Sequence, residues 1–416
     1  MTTHFIPIVR RAVLSGPRIA SWRYKSTGGA NSNRISTKKT KPRQLGFNDL
    51  DEVSTLQSNS PTFHLDQLKQ EDSSGYIHRT LPTSKLLETF REMMSLRSLN
   101  PLPNAPRDHG FKPALKAVEL AALDGQDSVS ISEILANLSP ENDIVWGVIY
   151  QLLKHGLTPE IDALNDEQRA AVLFNRVHGF GRVKAQYFAN AGARTVDDLL
   201  VDPDRQWGEK ARKISPAELL ALQHFAEMEL MVPRNEIEQL RTLIDSAFKK
   251  ADPQLSFEIV GSFRRGEALS SDIDVVVWHP SYTCREAATT KSKKKLEPDS
   301  LISRVKQALC SAGLLNEHMI FSQGERKIMA LTQLPNSTGS VHRQIDIRLC
   351  PTTSLPYMLL GNTGDDELMK YLRVRALEKG WVLNEYGMAK RLRGHTIPTM
   401  EEGSGIVVSS EKEIFD

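Results

Sequence analysis

Cysteine is scarce in this sequence of 416 residues, and Cys284, Cys310 and Cys350 lie far apart. That spacing supports neither a disulfide framework nor a Cys-ligated zinc site, so three reduced thiols are expected. The eleven histidines show no H-x-x-x-H or paired spacing, and no zinc site is expected from them. No apolar run approaches the ~20 residues that a membrane-spanning helix needs, so no membrane partner is expected. Internal repeats are absent as well.

One further absence is local. Met1 to Asn48 contains no Asp or Glu but ten basic residues, among them Arg10, Arg11, Arg18, Arg23 and Lys25. The rest of the chain carries 43 basic against 51 acidic residues, so the overall net charge of +2 hides a near-neutral to acidic body. An Arg- and Ser-rich, acid-free start has the composition of a mitochondrial transit peptide. The expectation is a presequence over 1–45, cut near Arg23 to Ser26, and residence in the mitochondrial matrix. The alternative is a basic tail that binds nucleic acid. In either case nucleic-acid contacts of the remainder must come from local basic faces rather than bulk charge.

Residues 46–82 are polar, with little apolar periodicity, and read as a disordered linker. Helical periodicity begins near residue 84, with Leu115, Val118 and Ala122 on one face and Val145, Val148, Ile149 and Leu152 on another. Ser130 and Glu133 have capping-box spacing. Boundaries are expected at 83–166 for this helical unit, 167–231 for a second one, 232–352 for a strand-rich region and 353–416 for a small mixed unit. KSKKK (291–295) reads as a solvated loop. The implied fold class is α+β, in several subdomains.

The chemistry lies in GSFRRGEALSSDIDVVVWHP (261–280) and HRQIDIRL (342–349). Residues i and i+2 of a strand face the same way, so Asp272 and Asp274 project together, about 6–7 Å apart at the root. Buried carboxylates are costly unless something cationic neutralises them. Asp346, between Ile345 and Ile347, supplies a third acid. Three such acids suit two divalent cations about 3.5–4 Å apart, the arrangement for in-line phosphoryl chemistry. Gly261 permits close backbone approach to a phosphate, and Ser262 offers a hydroxyl and an N–H. Arg264 and Arg265 suit a triphosphate clamp. The combination points to a nucleotidyltransferase site.

The order of these motifs, with GFG (179–181) before them and GERKIMALTQLP, NTGDDELMKYLRVRALEKGWVLNEYG and a terminal SEKEIFD after them, resembles the DNA polymerase beta group of family X polymerases over about 166–416. The resemblance implies a helix-hairpin-helix DNA-binding subdomain, a palm and a C-terminal subdomain that closes on the nucleotide. It implies that Asp272, Asp274 and Asp346 hold Mg²⁺, with Mn²⁺ as the alternative, and that Asp346 helps deprotonate the primer 3′-hydroxyl. Gly261, Ser262, Arg265 and Ser271 would hold the triphosphate. Asp366, Lys370 and Arg373 would flank the nascent base pair. Gly179, Gly181 and Lys327 would contact DNA phosphate, the hairpin with a monovalent cation. Implied partners are gapped or primed DNA, deoxynucleoside triphosphates and proteins of mitochondrial DNA maintenance; a monomer is expected.

The chain also departs from the family's pattern. Ser271 stands where Gly is usual, Gln344 replaces an arginine beside the third acid, and Met231 replaces a phosphate-binding arginine, which should weaken triphosphate affinity. Gly361-Asn362 replaces a Tyr-Phe pair that packs on the incoming sugar, which implies weaker rejection of ribonucleotides. Met369 replaces an Asn that reads the minor groove. The unit at 83–166 resembles a 5′-deoxyribose-phosphate lyase domain in helical pattern only. Its hairpin reads SPEND (139–143), and Val148 stands where a Schiff-base lysine is needed. Lys154, Lys112 and Lys116 are the other candidates, and a degenerate lyase domain is expected. Three readings stay open: a gap-filling DNA polymerase, a template-independent or ribonucleotide-tolerant terminal transferase, and a weakly active scaffold in a mitochondrial complex.

Overall fold

Alternating stretches such as Phe257–Ile259 and Ile345–Leu349 bury one row of aliphatic side chains and turn the next row away, and they assemble into one mixed sheet. The computed structural model describes residues 79–100, 110–136, 143–283, 300–335, 339–393, 399–401 and 403–415. The expected presequence, the linker up to residue 78, residues 139–142 of SPEND, KSKKK and Cys284 lie outside these. Among the described residues, no helix is long and apolar enough to cross a membrane.

The sheet has five strands: β1 (Ser256–Ile259), β2 (Ile273–Trp278), β3 (Leu315–Gln323), β4 (Lys327–Thr332) and β5 (Arg343–Leu349), in the order β1-β2-β5-β4-β3. All neighbours are antiparallel except β2 and β5, which run parallel with Asp274 opposite Asp346. Strand β3 was not evident in the sequence. It pairs with β4 through register shifts, and its Asn, Glu and His side chains are exposed, so the apolar alternation that marks a strand is missing.

One face of the sheet is covered by the helices Arg234–Ala251 and Leu301–Ser311. The first places Ile237, Leu240, Ile244, Ala247 and Phe248 on its buried stripe. The second is capped by Ser300, whose hydroxyl accepts from the Ser303 amide. Arg343, at the start of β5, pins this layer to the sheet. Its guanidinium meets both oxygens of Glu236 at 2.9 and 2.8 Å and donates to the carbonyls of Leu230 and Met231. Arg343→Ala should therefore cost about 3 kcal/mol, because it strands a largely buried carboxylate. Thermal unfolding of the variant would show this, and an unchanged midpoint would contradict it.

The N-terminal helices do not form a separate packed unit. A single apolar cluster runs from Leu86, Phe90 and Phe111 through Ile149 to Phe174, Phe188 and Trp207, across the boundary expected near residue 166. Arg176 ties the two parts together by pairing with both Glu88 and Glu229, and Ser95 donates to the Val172 carbonyl at 2.6 Å. The expected linker also ends early: Thr80–Pro82 pairs antiparallel with Ser128–Ser130. Ser130 accepts from the Glu133 amide at 3.3 Å, as its spacing suggested. Val148 packs in this core, and Lys154 hydrogen-bonds Tyr150.

Candidate active site

Strands β2 and β5 place the three acids. Asp274 and Asp346 occupy paired positions on these neighbouring parallel strands, about 4.8 Å apart across the sheet. Asp272 lies just ahead of β2 and shares the face of Asp274. Between them Ile273 is buried, and beside Asp346 so are Ile345 and Ile347, which fixes the backbone that carries the acids.

The electrostatics are strained in one direction. Burial, with the neighbouring charges of Asp272 and Asp346, pushes Asp274 up to about 7. Burial and Asp346 raise Asp272 as well, against a hydrogen bond from Ser271 and the charge of Lys112. The offsetting cations are few. Lys327 Nζ lies 2.7 Å from Asp346 Oδ2, and Arg348, two residues along β5 and so on the same face, is 3.9 Å from that atom. The other oxygen, Asp346 Oδ1, is buried without a hydrogen-bond partner. An orphaned carboxylate oxygen among mutually repelling acids suits a hard divalent cation, which takes oxygen ligands. This donor set fits Mg²⁺ or Mn²⁺.

The turn at 261–266 abuts the acids. Gly261 has φ +64°, and a Cβ there would lie 2.9 Å from Asp274 Oδ2, so any side chain at this position would strain the backbone and displace that carboxylate or the turn. Ser262 donates to the Ser270 hydroxyl at 2.8 Å, and Ser271 to Asp272 Oδ1 at 3.2 Å. Arg265 donates to the Thr363 carbonyl at 2.6 Å. Arg264, read from the sequence as a second clamp, is instead paired with both oxygens of Glu411 at 2.8 and 2.6 Å. Its planar fork matches that carboxylate and fastens the C-terminal segment to the turn.

Other expected site residues are spread more widely. Lys327, expected on DNA phosphate, rests on Asp346 in this structure, because the buried acid needs a counter-charge. Gly179 (φ +79°) and Gly181, the N-cap of the helix Arg182–Asn190, shape the hairpin. Phe180 stacks on Phe188 beneath it. Asp366, Lys370 and Arg373 fall on one exposed face of the helix Asp366–Glu378, away from the acids in sequence but one turn apart from each other. Met369, read as the stand-in for a groove-reading side chain, is buried on that helix and packs as core. Gly361 faces Glu385, whose Cβ would lie 3.3 Å from an added Cβ.

Sequence reasoning missed three things at or near the site. His178, just before the hairpin glycine, packs tilted against Phe321 of β3 and feels the charges of Asp346 and Asp272, although burial holds its ring below the usual histidine range. Lys112 comes close enough to act on Asp272. Finally, His224, Glu227 and His342 meet with their donor atoms within 4.8 Å of one another, a set able to hold a metal ion. Both rings and the His342 amide hydrogen-bond Glu227. Burial would raise that carboxyl, but these bonds hold it far below its usual range. The histidines are 118 positions apart in sequence, so no spacing rule could find the cluster.

A mixed sheet whose parallel pair presents three acids beside a glycine turn is an α+β nucleotidyltransferase fold. Comparison with known proteins narrows the class. Residues 231–352 match the DNA polymerase beta palm family and residues 358–416 the DNA polymerase beta thumb family. The chain is 26% identical over 261 residues to a DNA polymerase lambda of Arabidopsis thaliana, covering 61% of this chain and 45% of the relative. It is 26% identical over 258 residues to the human DNA-directed DNA/RNA polymerase mu, covering 58% and 51%. Against a DNA polymerase lambda of Rattus norvegicus the identity is 22% over 271 residues, covering 64% and 43%. The chain thus spans about half the length of the curated relatives it matches. Residues 231–352 and 358–416 are thus similar to the palm and thumb of DNA polymerase beta.

Proposed function

We propose that this protein is a template-directed DNA polymerase that fills short gaps in DNA, by in-line attack of a primer 3′-hydroxyl on a deoxynucleoside triphosphate with release of pyrophosphate. The observation that carries this reading is the convergence of Asp272, Asp274 and Asp346 beside the Gly261–Ser262 turn. Divalent cations bound by the acids would offset charge on the reacting phosphate and lower the pKa of the attacking hydroxyl. The chain's own part is positional. Asp346 and Asp274, fixed by the β2–β5 register, are available to orient the attacking and accepting groups. Ser262 and Ser271 would turn their hydroxyls from Ser270 and Asp272 to the phosphates, and Arg265 lies one residue from the turn's end. The hairpin amides near Gly179 and Gly181 suit a strand phosphate, with a monovalent cation as their family-derived partner. Asp366, Lys370 and Arg373 form the face for the nascent base pair.

The acid-free basic N-terminus supports a mitochondrial site of action, in base excision repair or related DNA maintenance. A second reading, tolerance of ribonucleotides, is favoured by Gly361, which leaves no side chain at the end of the helix Leu355–Thr363, and by the DNA/RNA designation of the human relative.

Single-nucleotide gap filling tests both. The wild type should extend a primer only when a template strand is present and Mg²⁺ or Mn²⁺ is supplied, and Asp346→Ala should fall by at least ~10³-fold, since electrostatic stabilisation of this kind is the largest catalytic contribution. Template-independent extension by the wild type would contradict the first reading. Strong discrimination against ribonucleotides in the same assay would remove the second.

A further inference from the structure

The N-terminal helices bring a cation to the edge of the acid cluster. A cavity of about 370 Å³ lies between the helices Thr83–Leu99 and Phe111–Leu123 on one side and the segment Met228–Met231 on the other, with Ser271 at its rim. Arg91 and Arg176 also line it, but both are paired, Arg91 with Glu119 and Arg176 with Glu88 and Glu229. Lys112 is the remaining cationic wall residue, exposed and with no ion pair among the described residues.

The orientation of Lys112 follows from its helix. Lys116, one turn further on and so on the same face, reaches Glu267 Oε2 at 3.0 Å. Glu267 belongs to the phosphate-turn segment itself, its amide donating to the Ser262 carbonyl at 3.1 Å. Lys112 is thereby placed on the same side of the helix, where it lines the cavity together with Ser271, the neighbour of Asp272. The unbroken core and the Arg91–Glu119 pair hold the helix in place, so this wall is built in.

We propose that Lys112 and the adjoining cavity form a subsite for the outer phosphates of the nucleoside triphosphate, so that the N-terminal domain supplies the positive charge that Met231, in the opposite wall, does not. This rests on the nucleotidyltransferase reading of the acids. It gives the degenerate lyase-like domain a part in nucleotide binding: a phosphate chain that starts at the acids and passes Ser262 and Ser271 enters the cavity, where Lys112 is available as a charge-assisted donor.

The test is direct binding to the full chain in Mg²⁺, using a deoxynucleoside triphosphate, the matching monophosphate and gapped DNA, alongside gap-filling kinetics. Lys112→Ala should weaken triphosphate binding about tenfold, as expected for loss of one charge-assisted contact. Lys112→Glu should weaken it further, Lys112→Arg should recover most of it, and monophosphate and DNA affinities should stay unchanged. Equal triphosphate affinity in wild type and Lys112→Ala overturns the proposal, as does a loss confined to gapped DNA, which would make Lys112 a DNA contact. Lys112-dependent triphosphate binding by a wild type that fills no gaps would uphold the subsite and reject the polymerase reading. No triphosphate binding by the wild type would reject both. Lys112 is exposed, so the variants should keep the wild-type unfolding midpoint. Should one fail to do so, the arginine variant still decides: tight triphosphate binding there and weak binding in a folded Lys112→Gln supports the proposal, and equal binding overturns it.

Discussion

Replacing Asp274 with Asn is expected to abolish nucleotide addition while making the cation-free protein more stable above neutral pH. The two effects have one cause. Asp274 sits between Asp272 and Asp346 in a buried setting, and its carboxyl is pushed up to about 7, from about 3.9 in an unfolded chain. The folded state therefore holds a proton that the unfolded state has released throughout the window from about 4 to 7. Stability must fall as pH rises through that window and level off above it. The full shift corresponds to about 4 kcal/mol, and relaxation of the coupled acids would reduce it to roughly 2 kcal/mol. Asn has nearly the same shape and no charge to bury. Thermal unfolding in a chelator at pH 8 should show a midpoint higher by about 4 °C or more for Asp274→Asn, and the two proteins should converge at about pH 4 and below. A lower midpoint at pH 8 would mean that Asp274 is not repelled by its neighbours. The carboxylates Glu88, Glu218 and Glu227, whose values are depressed, give the opposite slope in both proteins and cancel from the comparison. The site is thus costly without its cation, as expected where function sets residue choice.

How far this was readable in advance differs from residue to residue. Asp272, Asp274 and Asp346 were legible because each sits within two positions of strongly apolar strand residues, and period-two alternation fixes which side chains share a face. Gly261 was legible as a turn glycine that lets the backbone approach a phosphate, whereas its closeness to Asp274 Oδ2 appears only in the fold. What escaped is non-local. Arg264 and Glu411 are 147 positions apart, and nothing in either neighbourhood says that the guanidinium fastens the C-terminal segment rather than a phosphate. Lys327 reads as a DNA contact until the fold sets it on Asp346. Strand β3 hides because its outer positions are polar and its pairing is bulged. The continuous core from Phe90 to Trp207 hides because periodicity shows which face of a helix is buried and not what it is buried against.

Gly261→Ala should lower kcat/KM about 100-fold with the protein still folded, because misplacement of a reacting group by about 1 Å is worth that much. Two costs combine. The backbone at φ +64° is left-handed, which an alanine adopts at about 1–2 kcal/mol. In addition, the new Cβ would stand 2.9 Å from Asp274 Oδ2, so either the carboxylate rotates away from its partners or the turn lifts off the sheet. Backbone strain alone lowers stability, whereas displacement of Asp274 alone lowers activity. Gly266→Ala separates them. Gly266 closes the same turn at φ +86°, but an added Cβ meets nothing within 4 Å. Both variants should lose a similar 1–2 kcal/mol in thermal unfolding. Only Gly261→Ala should lose most of its activity, and Gly266→Ala should stay within about fivefold of the wild type, since it moves no acid. Equal loss of activity in the two would show that the turn matters through its backbone conformation and not through contact with Asp274. A fully active Gly261→Ala would mean that the turn and the acid do not act as one unit, and the juxtaposition of phosphate cradle and carboxylate would no longer explain the chemistry.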